Sequence, residues 1–88
     1  MRRGDPHRAL IRALLARYPG LLVLASRTEP WASATFVGTR HRLACAGGVA
    51  LDGIEEEELS LPGHVVADIC AEQREDRTTI QALTIEDA

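Results

Sequence analysis

The chain has 88 residues, of which 45% are hydrophobic, 26% charged and 3% aromatic, with a net charge of −3. That profile fits one small globular domain and excludes a collagen, a coiled coil, a membrane span and wholesale disorder. The net charge conceals a division: residues 1–42 carry eight arginines against Asp5 and Glu29, a balance of +6, whereas residues 43–88 carry Arg74 and Arg77 against eleven acids, a balance of −9.

The first predicted element is an amphipathic helix. Asp5 suits its N-cap, Pro6 its first turn, and Pro19-Gly20 its end. Leu10, Leu14, Tyr18, Ile11 and Leu15 fall within an arc of about 140° on a helix of 100° per residue, with Arg8 and Arg12 beside it. Leu21–Arg27 is a short apolar run bounded by Pro-Gly and Glu-Pro, and reads as a buried strand. Val37-Gly38-Thr39-Arg40 suits a two-residue type II′ hairpin turn. Folding there pairs Phe36 with His41, Ala34 with Leu43 and Ala32 with Cys45 on an apolar face. Val37/Arg40, Thr35/Arg42, Ser33/Ala44 and Trp31/Ala46 fall on the opposite, more polar face.

Gly47–Gly53 reads as a loop, and Glu55–Glu58 as either a helical turn or the polar entry to a strand, so the conformation of 47–58 stays open. Pro62-Gly63 marks a turn before a strand at His64–Gln73, whose odd positions Val65, Ala67, Ile69 and Ala71 form an apolar face. Arg74–Arg77 is a polar loop and Thr78–Glu86 a last strand. A four-residue loop pairs Ile69 with Ala82, a three-residue loop pairs it with Leu83, and a bulge near Ala82–Leu83 reconciles the phases of Ile80 and Ile85. The expected fold is α+β over a single domain, 1–88: one N-terminal amphipathic helix packed on a 4–5-stranded, mostly antiparallel meander. A single helix covers one face of such a sheet and leaves the other open.

All ten basic residues are arginine, which points to a GC-rich, bacterial genome. Cys45 and Cys70 are too few for a disulfide scaffold and read as small core residues in a reducing compartment. Arg2 and Arg3, Leu21–Ala25 and Ala32-Ser33-Ala34 resemble pieces of a secretion signal, but the apolar run is shorter than the roughly 7–15 residues such a region needs. The expectation is a cytoplasmic protein with no membrane contact.

Chemistry-bearing constellations are sparse. His41 and Cys45 lie about 13 Å apart along one strand, and no tight pair of zinc-ligand spacing occurs, so neither a metal nor a cofactor is expected. A thiol centred on Cys45 or Cys70 is the weakest reading, because Cys45 falls on the apolar face where a thiol is inert. Arg40, Arg42, Thr35 and Trp31 share one hairpin face, and arginines beside an aromatic are the ingredients of single-strand nucleic-acid binding through residues 31–43. The acidic second half opposes that use. His64 beside Pro62-Gly63 is a candidate for a pH-sensitive contact. The favoured expectation is therefore a non-enzymatic protein-interaction module, a homodimer associating through the open sheet face and complementary charge, or else paired with another protein, with Trp31, Thr35, Arg40, Arg42 and His64 as its contact residues.

Overall fold

The computed structural model describes residues 5–87; Arg2 and Arg3, weighed above as part of a secretion signal, lie outside them. The order is α1 (Pro6–Arg17), β1 (Leu22–Ala32), β2 (Val37–Ala46), a 3-10 turn (Ile54–Glu56), β3 (His64–Arg74) and β4 (Arg77–Glu86). The fold is α+β, with one helix against a four-stranded antiparallel sheet. The strand order is β1-β2-β4-β3, so the sheet is two hairpins joined through β2 and β4 rather than four strands in sequential order.

The helix starts where its chemistry dictates. The Asp5 carboxylate accepts a hydrogen bond from the His7 N–H at 2.9 Å, and Pro6 occupies the first turn, where an N–H would be unpaired. Leu10, Leu14 and Tyr18 are buried, while Leu15 is left largely exposed. Burying each leucine stabilises the fold by about 1.5–3 kcal/mol. The core closes around Leu43, Cys45, Ile69, Ile80 and Ala82 from the sheet, and Leu51, Ile54 and Leu61 from the β2–β3 connection. The Tyr18 hydroxyl is buried without a hydrogen-bond partner, and burial together with the nearby Glu57 pushes its pKa up.

The first hairpin turns earlier than the sequence suggests. Ala32 pairs with Val37, and the turn is Ser33–Phe36: the Ser33 N–H donates to the Phe36 carbonyl at 2.9 Å, and the Ser33 hydroxyl accepts from the Phe36 N–H at 3.0 Å. Pro30 therefore lies inside β1, which tolerates it as an edge strand. Gly38 is not a turn residue; a Cβ there would stand 2.1 Å from the Thr84 carbonyl oxygen, so glycine lets β4 approach β2. Arg42 consequently pairs with Arg27 instead of Thr35, and Arg40 with Glu29 instead of Val37. His41, Leu43 and Cys45 pair with or oppose Thr28, Ser26 and Val23 rather than Phe36, Ala34 and Ala32. Each partner moves by an even number of residues along β1, apart from the irregularity between Val23 and Ala25, so the faces survive.

The second hairpin has the Ile69–Ala82 pairing, closed by Glu75-Asp76 with Glu75 at φ 51. A two-residue turn needs a positive φ, which a glutamate adopts at some cost. The bulge lies between Val66 and Asp68 on β3, not on β4. It changes the phase of the strand: Ile69 and Ala71 meet the helix-covered side, whereas Val65 is 51% exposed on the other. Glu55 and Glu56 sit in the 3-10 turn, and Glu57 takes a two-point ion pair from Arg17, with Nε–Oε1 at 2.6 Å and Nη2–Oε2 at 3.2 Å. Among the described residues, no helix is long and apolar enough to cross a membrane.

Candidate functional site

The two faces of the sheet follow from alternation and register. One carries Thr28, Ser26 and Val23 from β1, His41, Leu43 and Cys45 from β2, the even positions Thr78–Thr84 of β4, and Ile69 and Ala71 from β3. The helix and the β2–β3 connection cover it. The other is open and reads as four rows across the strands in the order β1, β2, β4, β3. They are Ala25–Ala44–Thr79–Glu72, Arg27–Arg42–Gln81–Cys70, Glu29–Arg40–Leu83–Asp68 and Trp31–Gly38–Ile85–Val65.

The two middle rows surround a shallow hollow of about 170 Å³. Three guanidinium groups, from Arg27, Arg40 and Arg42, line its β1–β2 side. Gln81, Leu83 and Cys70 line the rest, with Glu29 and Asp68 at opposite edges of the sheet. Arg27 and Arg42 stand directly opposite each other on neighbouring strands. Like charges in that position oppose sheet formation. Neither they nor Arg40 form an ion pair or side-chain hydrogen bond with any described residue.

Of the five residues expected to make contacts, Trp31, Arg40 and Arg42 do share the open face. Trp31 is half-buried two rows from Arg42, with no side chain opposite it because its partner is Gly38. Thr35 and His64 are elsewhere. Thr35 lies in the hairpin turn, where its N–H donates to the Ser33 hydroxyl at 3.3 Å, because the turn falls four residues before the Gly38 position. His64 begins β3, and its Nδ1 donates to the Pro62 carbonyl at 3.0 Å, on the side of the strand away from the arginines. Arg27, Glu29, Asp68 and Gln81 were not anticipated, and Cys70 was considered only as a core residue or a thiol centre. The alternation of Arg27, Glu29 and Trp31 is the signal that points to the first two, and the Glu29-Pro30 pair masked it.

Cys70 corrects a further expectation: it is exposed on the open face between Asp68 and Glu72, not in the core. Cys45 is fully buried, and burial pushes its thiol pKa up, away from the reactive thiolate.

A second polar constellation sits under the helix. His7 Nε2 is 2.8 Å from the Ser26 hydroxyl, His7 Nδ1 is 2.9 Å from His41 Nδ1, and His41 Nε2 is 2.8 Å from the Thr84 hydroxyl. The rings are parallel to within 5°, with centroids 5.2 Å apart. With both rings neutral, each has one N–H and one acceptor nitrogen, so donors run in one direction from Ser26 to Thr84 or back. Two protons on both rings would set Nδ1–H against Nδ1–H. Burial, then the neighbouring His7, lower the His41 pKa to about 4, with Asp5 opposing and His64 adding slightly. This chain clasps the start of α1 to the sheet across 34 residues of sequence. Among the described residues no three His, Cys, Asp or Glu side chains converge as a metal site.

Compared with known proteins, the chain matches no family model, no curated protein and no solved structure.

Proposed function

We propose that the chain is a small non-enzymatic interaction module of a bacterial cytoplasm, pairing with a second copy of itself through the open face of the sheet. The observation that carries this reading is the charge layout of that face. Arg27, Arg40 and Arg42 occupy the β1–β2 half with Glu29 and form no ion pair among the described residues, and Asp68 and Glu72 occupy β3 at the far side. A two-fold axis running along the strands between β2 and β4 keeps each row level with itself, so Arg27 of one copy stands over Cys70 between Asp68 and Glu72 of the other, while Glu29 meets Asp68; the Arg27 contacts supply the self-complementarity an isologous dimer requires. Leu22 and Val65, at 60% and 51% exposure, add apolar area to the same face. Both sheet edges are blunted, β1 by Pro30 and the irregularity at Leu24, β3 by its bulge at Ala67, which favours face-to-face over edge-to-edge pairing.

Sedimentation velocity over the micromolar range tests the reading. A dimer that weakens in high salt is expected, and a monomer at every concentration in both low and high salt would overturn it. Cys70 supplies a second readout, since alkylation of this exposed thiol should slow as the protein concentration rises.

Single-stranded nucleic acid is the second reading, supported by Trp31, Arg40 and Arg42 sharing one face. Glu29 and Asp68 in the same row oppose a phosphate backbone, which ranks it lower. It requires salt-dependent quenching of Trp31 fluorescence by a single-stranded oligonucleotide; an unchanged signal at low salt removes it.

A further inference from the structure

We propose that the hollow on the open face is a binding site for a compact oxyanion, a phosphate or carboxylate group, held by Arg27, Arg40 and Arg42. Two arginines face each other across neighbouring strands, a third stands one row away, and none finds an acceptor among the described residues. Arg27 and Arg42 repel each other across the strands, Arg40 has Glu29 opposite it in register but no ion pair to it, and each fork presents several N–H donors without a close acceptor among the described residues. An oxyanion satisfies both defects, because planar guanidinium groups match the geometry of phosphate and carboxylate oxygens.

The surroundings fit that ligand class. Gln81 and Cys70 continue the Arg27–Arg42 row and bring a neutral amide and a thiol, which add donors without cancelling charge. The hollow measures about 170 Å³, equivalent to between five and six water molecules at roughly 30 Å³ each. That is room for one tetrahedral or planar oxyanion. Glu29 and Asp68 leave the lining at a net +1 from three arginines and two carboxylates. Standing at opposite ends of one row, they bar an extended polyanion from lying across the sheet. The site is therefore matched to a single small group rather than to a nucleic-acid backbone.

This inference goes beyond self-association and is read separately from it. The oxyanion and the carboxylates of a second copy compete for the same guanidinium groups, so binding should shift a dimer toward monomer. Calorimetric titration of the intact chain in a low-salt buffer free of oxyanions tests the site, with inorganic phosphate in one arm and malonate in the other. The arm that binds more tightly names the source of the anionic group. Saturable binding in either is expected, weakened about tenfold or more in Arg27→Gln and in Arg42→Gln, as loss of a charged hydrogen bond implies. Arg42→Lys keeps the charge but loses the fork, and should recover only part of the affinity. Arg12→Gln on α1 and Arg74→Gln at the second hairpin should bind as the parent does. Circular dichroism of each variant separates a lost site from a lost fold. No saturable binding to either anion, or Arg27→Gln and Arg42→Gln variants that bind as tightly as the parent, overturns the proposal. A dimer that binds neither anion leaves self-association standing, and a monomer that binds one leaves only the oxyanion site.

Discussion

The two faces of the sheet treat polar groups in opposite ways. Under the helix, His41 is buried, yet each of its ring nitrogens has a partner, and the three hydrogen bonds of the chain Ser26–His7–His41–Thr84 engage both nitrogens of each ring. On the open face, Arg27, Arg40 and Arg42 stand together with no ion-pair or side-chain hydrogen-bond partner among the described residues. A buried polar group without a partner costs about 1–3 kcal/mol, whereas water solvates an exposed guanidinium. The covered side pairs its buried polar groups apart from the Tyr18 hydroxyl, and the open face is free to hold chemistry aimed at something else. The charge division in the sequence follows the same lines. Arg17 and Glu57 join the basic and acidic halves at the end of α1, while the hairpin arginines form no ion pair among the described residues.

The largest expected effect comes from the one place where the two hairpins approach most closely. Gly38→Ala would put a Cβ 2.1 Å from the Thr84 carbonyl oxygen and 3.2 Å from its carbon, so backbone has to move. A loss of more than about 3 kcal/mol is expected by urea unfolding, the scale of overpacking against immobile atoms. A glycine needed only for a hairpin turn would cost nearer 1 kcal/mol on the same change. A small loss would therefore restore the turn at Gly38-Thr39 and dismantle the row assignment on the open face.

The covered face makes a pH prediction. His41 has a folded-state pKa of about 4 against an ordinary 6.5, so between those values the unfolded chain binds a proton that the folded one refuses. Stability is then fully present above about pH 6.5 and falls as the pH drops toward 4. Between pH 6.5 and 5, above the range where most carboxylates titrate, the loss should be about 1.5 kcal/mol. Urea midpoints at the two pH values measure it, and His41→Leu should flatten the profile while lowering overall stability. A parent protein equally stable at both would mean that the buried chain accepts a proton, and that the covered face is as open to charge as the other.

How much of this was legible follows the range of each interaction. The helix was, because its cap, its first proline and its apolar arc are local. The alternation of β2 was as well, so Arg40 and Arg42 were placed together correctly and Trp31 fell on their face despite a wrong turn. The turn itself was misread because Gly38 looks the same whether it supplies a bend or makes room for Thr84, and the second role exists only once β4 is in place. Pro30 looked like a terminator, since its tolerance depends on β1 lying at the edge. That ended the predicted strand at Arg27 and hid Glu29. The β3 bulge depends on a partner strand for its definition, and it sends Val65 to the open face. The His7–His41 contact spans 34 residues and leaves no local trace. Half of the open face was thus readable from one hairpin, and the other half required the non-local β2–β4 pairing.

The smallest expected effect is the most direct probe of the contrast. If Arg27 and Arg42 repel without compensation, Arg27→Gln should stabilise the monomer by about 0.2–1 kcal/mol at low salt, since like charges directly opposite on a sheet cost that much. The gain should shrink as salt is added, because both groups are exposed and screening removes the repulsion first there. Measured in a dilute solution without phosphate or carboxylate, the change reads the bare fold. Repeating the measurement with an oxyanion present should reverse the sign, because the parent then gains a ligand that the variant binds poorly. A variant less stable than the parent in both conditions would show that Arg27 is held by groups within the fold. The arginine cluster would then be self-satisfied like the histidine chain behind it, and the open face would lose its claim to a partner.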